Sequence, residues 1–141
     1  MKASFEEKSV WLQLVGTVLV LGSYFVAAGR LMARGVTQLV AYVPLFAGAV
    51  ILLVLTLVAG HIVVAIASRP EGRDERDRQI EWRAQSGSGW IVVAGAFTAI
   101  LGLIVSIDGV WIAHLLLLSV LLSEVARFVL QLVYYRRGLA S

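Results

Sequence analysis

The chain has no cysteine, only two prolines and only two histidines among its 141 residues. Without cysteine, disulfides, thiolate metal sites and catalytic thiols are excluded. Charged residues are also scarce, at 15% of the chain, where about 25% is usual in soluble domains. No nucleophile elbow, phosphate-binding loop, metal-binding helix or cofactor fingerprint is found, so the sequence predicts no enzyme activity, no cofactor and no metal site.

Long uncharged stretches take up most of the sequence. Hydrophobic residues account for 60% of the chain, against about 45–50% in soluble domains. Four stretches can each cross a hydrocarbon core of about 30 Å, which takes about 20 helical residues. They are Val10 to Ala28, Leu39 to Ala67, Trp90 to Ile107 and Gly109 to Tyr135. The sequence therefore predicts an all-α membrane protein, a single domain (1–141) of four transmembrane helices in an antiparallel bundle.

Basic residues are divided unevenly between the two sides that four spans define. One side receives nine of them: Lys2, Lys8, Arg69, Arg73, Arg76, Arg78, Arg83, Arg136 and Arg137. The other side receives Arg30 and Arg34. Because cytoplasmic loops carry the excess of lysine and arginine, both termini are expected in the cytoplasm. These side chains would meet anionic lipid head groups, so the formal charge of +3 indicates a lipid bilayer as the partner and no nucleic acid.

Two connections between the spans carry turn or capping signals. Ser68, Pro70 and Glu71 resemble a capping box, which predicts a short helix from Pro70 to Gln85, followed by a flexible linker over residues 86–89. The third and fourth spans are joined through an Asp108-Gly109 pair, which is typical of a tight turn. These two spans are therefore expected to be antiparallel neighbours.

The short helix carries interspersed acids and arginines. Asp74 with Arg78, and Arg73 with Asp77, are spaced for ion pairs worth about 0.2–0.5 kcal/mol each. One interpretation is a solvated, self-paired linker that touches head groups through Trp82. A second is a docking helix for a cytoplasmic protein or a second subunit, and a third is an active site. The docking residues would be Arg73, Asp74, Arg76, Asp77, Arg78 and Trp82.

The segment from Asp74 to Ala84, DERDRQIEWRA, resembles a charged D-E-R-D-x-x-I-E-x-R segment in a group of small, uncharacterised bacterial proteins. These are four-span inner-membrane proteins, and the segment precedes their third span. Some of them look like proteins encoded beside small helix-turn-helix regulators. The resemblance covers this segment and the hydropathy plan of the chain. It implies a bacterial inner-membrane protein with a regulatory role, and it carries over no catalytic residue.

The few polar residues within the spans suggest a site. Glu124 and Arg127 are three residues apart and Gln131 follows seven after Glu124, so all three share a narrow arc of the fourth span. His61, on the second span, is at a similar depth, which makes a cluster of His61, Glu124, Arg127 and Gln131 feasible. Such a cluster would be a proton or substrate site. The alternative is a self-neutralising pair of Glu124 and Arg127, with His61 hydrogen-bonded to a neighbouring helix.

Small residues form a face on the third span. Gly95, Ala99, Gly102 and Ser106 follow one another at spacings of four, three and four, a pattern that lets helix backbones approach closely. The face indicates either close packing within the chain or homodimerisation.

Together these features favour a small membrane protein with an interaction or regulatory role, bound to a cytoplasmic protein or to a second copy. The alternative is a dimeric transporter, for a small solute or coupled to protons, that uses the inner-half polar site. In span count and size the chain resembles the small multidrug resistance proteins, which carry their essential glutamate in the first span. The first span here, Val10 to Ala28, contains no glutamate, so that resemblance is one of architecture only.

Overall fold

A computed structural model describes residues 5–68, 72 and 74–138 of the chain. Within these residues the structure is helical, with no strand. Its elements are α1 (Phe5–Ala33), a 3-10 turn (Leu39–Tyr42) that leads into α2 (Val43–Ala67), α3 (Glu75–Ser88), α4 (Trp90–Ile104) and α5 (Gly109–Arg137). Four segments are long and apolar enough to cross a membrane: Phe5–Ala33, Leu39–Ala67, Glu75–Ile104 and Gly109–Arg137. By length and composition, the chain is therefore a multi-pass membrane protein, as predicted.

The helices pack in the order α2, α1, α5, α4, with α5 between α1 and α4. At one end of α1, Val10 packs against Phe128 and Leu132. At its other end, Tyr24 and Ala28 pack against Val110. The two helices are therefore antiparallel. We call the end of the helices near Phe5 and Arg137 the terminal side, and the end near residues 34–38 and 105–108 the hairpin side.

Helix α2 lies at the edge of this row. It packs against α1 and contributes no buried residue. It approaches α1 closely at Gly60, where a Cβ atom would lie 2.4 Å from a methyl carbon of Leu12. The mean hydropathy of this span reaches 2.8, so its exposed surface is suited to contact with lipid acyl chains.

Helix α3 begins later than the sequence indicated and has a different cap. The Asp74 carboxylate accepts a hydrogen bond from the Asp77 amide at 2.8 Å, and the Asp77 carboxylate accepts one from the Asp74 amide at 3.1 Å. This reciprocal capping box starts the helix at Glu75. Ser68 instead follows the last residue of α2 and forms its C-cap. Pro70 and Glu71 lie outside the described residues.

The prediction of a flexible linker after α3 is wrong. Residues 86–88 are helical, and Gly89 has helical dihedral angles, φ −61° and ψ −28°. The chain thus continues from α3 into α4, and one residue, Gly89, separates the two helices. The combined segment Glu75–Ile104 is long enough to count as one span. The charged helix is therefore an extension of the third span.

One face of α3 is packed against α5, so the interpretation of a solvated linker is also wrong for that face. Ile80, Ala84 and Ser88 are fully buried there. The Ser123 hydroxyl donates a hydrogen bond to the Ser88 carbonyl at 3.1 Å, and the contact holds α3 to the buried side of α5.

The expected ion pair of Asp74 with Arg78 is replaced by other contacts. The Asp74 carboxylate caps the helix, and Arg78 lies instead 4.0 Å from a carboxylate oxygen of Glu75. Arg73, which was paired with Asp77 in the prediction, lies outside the described residues. Asp77 accepts a hydrogen bond from the Tyr135 hydroxyl at 3.0 Å, so this carboxylate joins α3 to α5.

The hairpin between α4 and α5 confirms that these spans are antiparallel neighbours, but a different residue reverses the chain. Asp108 is the N-cap of α5 and Gly109 is its first residue. The left-handed position is Ser106, with φ 60°. Beside it, the Ile107 amide donates to the Gly102 carbonyl at 2.9 Å and closes the end of α4.

A buried aromatic cluster ties α1 and α5 together on the hairpin side. His114 Nδ1 lies 2.8 Å from the Val110 carbonyl oxygen, so in the neutral ring Nδ1 is the donor and Nε2 is the acceptor. The Tyr24 hydroxyl, 2.9 Å from Nε2, donates to it. The two rings are stacked at 5.8 Å, and the Tyr42 ring meets the imidazole edge-on at 4.9 Å.

The small-residue face of α4 is used within the chain. Gly95, Ala99 and Gly102 are buried. A Cβ atom on Gly95 would lie 2.2 Å from Oγ of Ser119 on α5, which is too close for two such atoms. These three residues therefore permit the close approach of α4 to α5, in agreement with the interpretation of packing within the chain.

We predict that Gly95→Ala destabilises the protein by about 1–3 kcal/mol, because the added methyl group overpacks this contact. Gly48→Ala is the matched control, since Gly48 lies within α2 and a Cβ there meets nothing within 4 Å. Thermal unfolding in detergent micelles compares the two variants with the unmodified chain. Equal unfolding temperatures for the two variants would contradict the close packing of α4 on α5.

Candidate functional site at the junction of α1, α3 and α5

Glu124 and Arg127 form an ion pair within one turn of α5. Arg127 Nε donates to Glu124 Oε2 at 3.1 Å, and a second guanidinium nitrogen donates to the same oxygen. The guanidinium also lies over the Phe128 ring, 4.4 Å from its centroid. The Arg127 side chain is 17% exposed and that of Glu124 is 38% exposed. The two charges thus neutralise each other on one helix, as in the alternative interpretation of these residues.

His61 is hydrogen-bonded to α1, and its bonds do not reach the ion pair. Its Nε2 lies 2.8 Å from Oγ of Ser9 and 3.5 Å from the amide nitrogen of Gln13. Its Nδ1 lies 2.7 Å from the Leu57 carbonyl oxygen, so in the neutral ring Nδ1 donates and Nε2 accepts from the serine hydroxyl. The predicted cluster of four residues is therefore divided, with His61 in a separate network between α1 and α2.

Gln131, the remaining member of the predicted cluster, lines a small polar cavity together with Arg127. Its lining comes from three helices: Glu6, Val10 and Gln13 of α1, Asp77 and Glu81 of α3, and Arg127, Gln131 and Tyr135 of α5. The cavity has a volume of 30 Å³, room for about two water molecules at about 10–15 Å³ each. Gln13 borders both this cavity and His61, so the two networks are neighbours.

A wider cleft adjoins the cavity on the terminal side. It has a volume of 140 Å³ and shares Glu6, Asp77 and Tyr135 with the cavity. Asp74 and Arg76 also line it, and Arg76 donates a hydrogen bond to the Tyr135 carbonyl at 3.4 Å. Cavity and cleft together are lined by four carboxylates and two guanidinium groups, which makes this junction acidic.

The residues predicted for the docking helix point in different directions. The outward face of α3 carries Arg78 and Trp82, both strongly exposed. Arg76 is exposed beside the cleft, while Asp74 serves as the cap. Asp77 is directed at the cavity and the cleft. Arg73 lies outside the described residues. Asp74, Asp77 and Arg76 thus border the junction, while Arg78 and Trp82 lie outside it.

Sequence reasoning missed several members of this junction, among them Ser9, Gln13, Glu81 and Tyr135. A signal for the first two exists, because Ser9 and Gln13 are polar residues four apart at the start of an otherwise apolar span, which places them on one face. For Glu81 the signal is its spacing of four from Asp77. Nothing in the sequence indicated that this face of α3 would meet α1 and α5.

The chemistry available here is ion pairing and hydrogen bonding. In the described part of the chain, no group of three or more histidine, aspartate or glutamate residues could hold a metal ion. Ser9 and His61 are in contact as a hydroxyl and a base, but Ser9 is buried and closed to a substrate. No protein-family model, curated protein or solved structure matches the chain.

We predict that Arg127→Ala destabilises the protein by up to about 3 kcal/mol, because it leaves a carboxylate unpaired within a span. Combining Glu124→Gln with Arg127→Met removes both charges, so this double variant should be more stable than Arg127→Ala. Thermal unfolding in detergent measures the two variants and each single change. If the double variant loses as much stability as the sum of the single changes, Glu124 and Arg127 do not stabilise each other.

Proposed function

We propose that this chain is a small bacterial inner-membrane protein that acts by binding another protein, in an interaction or regulatory role. The observation that supports the proposal is the outward face of α3. Glu75 and Arg78 have side chains that are 74% and 70% exposed, and Trp82 is 75% exposed. The opposite face of the same helix is buried on α5.

The composition of this face suits protein recognition. Tryptophan and arginine are the residue types most enriched among those that dominate binding energy, and Arg78 and Trp82 are four residues apart on one side of the helix. Trp82 is also suited to the membrane interface, where tryptophan is common. A partner that sits close to the membrane surface would use both properties.

The rigidity of α3 supports the same role. The capping box fixes its first turn, the Tyr135 hydroxyl holds Asp77, and α4 continues the helix after Gly89. A surface that is already ordered loses less conformational entropy when a partner binds. The cytoplasmic side is favoured for this surface, since the basic residues that flank the spans lie mostly on the terminal side.

The transport alternative has less support. It requires a carboxylate that is available to a proton or a substrate inside the bilayer, with His61 nearby. Glu124 is paired with Arg127, and His61 is bonded to Ser9 and Leu57. A homodimer is compatible with the interaction role, because a second copy could occupy the outward face of α3. We propose no chemical step for this protein.

We predict that a reporter that works only in the cytoplasm is active when it is inserted at Gly72 or fused after Ser141. Gly72 is exposed and lies in the connection between α2 and α3. The same reporter at Gly35, in the connection between α1 and α2, should be inactive. Activity at Gly35 together with silence at Gly72 would reverse the proposed orientation.

We predict that combining Arg78→Glu with Trp82→Ala removes the co-purifying partner when the tagged protein is isolated from cross-linked membranes. Losing a residue that dominates binding costs about 2 kcal/mol, roughly a thirtyfold loss of affinity. The unfolding temperature should not change, since exposed ion pairs contribute about 0–1 kcal/mol.

The matched control for that experiment is Trp90→Ala, because Trp90 is a similarly exposed tryptophan on α4 outside the proposed surface. It should retain the partner. Glu124→Gln and His61→Gln should retain it as well. The cellular phenotype of each variant is compared as well. If the interior changes abolish the phenotype and the α3 variant does not, the interaction role is refuted and the transport alternative takes its place.

A further inference from the structure

The two edges of the helix row differ in the length of their apolar surface. At the α2 edge, the helix Val43–Ala67 has 25 residues and contains no lysine, arginine, aspartate or glutamate. It is about 37 Å long at about 1.5 Å per residue. At the α4 edge, the helix Trp90–Ile104 has 15 residues, about 22 Å by the same rise. Since a hydrocarbon core is about 30 Å thick, one edge is longer than the core and the other is shorter.

On the hairpin side the two edges end at the same level, meaning the same position along α5. Tyr42, directly before α2, packs in one cluster with Val110 of α5. Near the end of α4, a Cβ atom on Gly102 would lie 3.5 Å from the side chain of Ile112. Both edges therefore reach the first turn of α5, and the difference in length falls on the terminal side.

At the α4 edge the apolar surface ends early on the terminal side. The Ser123 hydroxyl donates to the Ser88 carbonyl at 3.1 Å, so α4 begins at a level in the middle of α5. Beyond that level the surface is polar, because Gln85 and Ser86 are exposed there. The charged residues of α3 follow, among them Arg78, whose side chain is 70% exposed.

At the α2 edge the apolar surface continues much further. His61 is bonded to Ser9 of α1 at 2.8 Å. The next residue of α1, Val10, packs against Phe128 and Leu132 of α5. By the rise along α5, His61 therefore lies roughly 10 Å beyond the level at which α4 begins.

Helix α2 runs on past His61 to its last residue, about 9 Å further toward the terminal side. This last part is apolar and exposed, with Val63 at 63% and Ile66 at 82%. The first polar contact after it is at Ser68, whose hydroxyl accepts a hydrogen bond from the Lys8 ammonium at 2.7 Å. The apolar surface thus ends about 19 Å further out at the α2 edge than at the α4 edge.

A rigid tilt of the protein does not correct this difference. The hairpin-side ends are level already, so a tilt that levels the terminal side would move one hairpin-side end out of the hydrocarbon core. In a flat leaflet, the charges of α3 would be submerged or the end of α2 would be in water. A charge in hydrocarbon is expensive, whereas a bilayer thins at a modest cost for each ångström of mismatch. The cheaper adjustment is therefore made by the lipid.

We propose that the protein thins the terminal-side leaflet along its α4 edge and keeps the leaflet thick along its α2 edge. The α4 edge then binds phospholipids with short acyl chains, and the α2 edge binds phospholipids with long ones. Because both surfaces are apolar, the selection depends on chain length and is independent of the head group. The strip of thin bilayer lies beside α3, so that its exposed charges stay in water.

Cysteine labelling tests the slope of the leaflet, because the chain has no cysteine of its own. Ser86→Cys and Ile66→Cys are placed separately in phosphatidylcholine nanodiscs and treated with a water-soluble maleimide. We expect Ser86→Cys to be labelled and Ile66→Cys to stay unlabelled, although Ser86 lies closer to the bilayer centre. Phe97→Cys, in the middle of α4, is the protected reference, and all three should react after denaturation in detergent. Equal labelling of the first two cysteines, or labelling of Ile66→Cys alone, would overturn the proposal.

Quenching of tryptophan fluorescence by brominated phosphatidylcholine measures which chain length each edge selects. One variant keeps Trp90 at the α4 edge and replaces Trp11, Trp82 and Trp111 by phenylalanine. A second replaces all four and adds Val63→Trp at the α2 edge. In competition, the Trp90 variant should favour dimyristoleoyl over dierucoyl phosphatidylcholine about threefold, and the Val63→Trp variant should show the reverse order. The same order at both positions would contradict the proposal.

A further variant tests whether the polar end of the α4 edge causes the selection. Gln85→Leu combined with Ser86→Leu extends the apolar surface, so the reporter Trp90 should lose its preference for the short-chain lipid. Thr98→Leu is the matched control, because Thr98 is exposed within α4 and this change adds apolar surface without lengthening it. An unchanged preference in the double variant, or a lost preference in the control, would refute the proposed cause. No protein partner takes part, so failure here leaves the proposed interaction role unaffected.

Discussion

The hydrocarbon core of a membrane offers no hydrogen-bond partners, so polar side chains within the spans must find them inside the protein. This constraint is visible in α5, which lies between α1 and α4. It carries His114, which is bonded to Tyr24 of α1, and it carries the pair of Glu124 and Arg127. In the described residues, no enclosed side-chain polar atom lacks a partner. By contrast α2, which lies at the edge, has polar contacts with α1 through His61 and, at its C-cap, through Ser68.

The charged helix α3 has two faces with different consequences. Its buried face docks on α5 through Ile80 and Ala84, and its acids Asp77 and Glu81 border the polar cavity. Its outward face leaves Trp82 exposed. The charged residues of this segment are therefore divided in space, with Asp77 and Glu81 at the junction and Glu75 and Arg78 on the outward face. The proposed protein partner uses the outward face.

The elements that were hardest to predict are those where one residue departs from its usual preference. Gly89 adopts helical angles, because α3 and α4 both pack along α5 and the chain between them continues in the same direction. Ser106 takes the left-handed position in the connection where the Asp108-Gly109 pair was expected to make the turn. Asp74 caps α3 in place of Ser68. In each case several neighbouring residues have a suitable preference for the cap or the turn, and packing against α5 favours one of them.

The sequence by itself determined the number of spans, their helical state and the neighbouring position of the last two, because long apolar runs and short connections leave few alternatives in a membrane. It also placed Glu124 and Arg127 within reach of each other, since a spacing of three puts both on one helix face. Tertiary structure alone decided that His61 bonds to Ser9 and that Gln131 lines the same cavity as Asp77 and Glu81 of α3. Those contacts join helices that are distant in the sequence, and helical periodicity fixes which residues share a face but not which helix that face will meet.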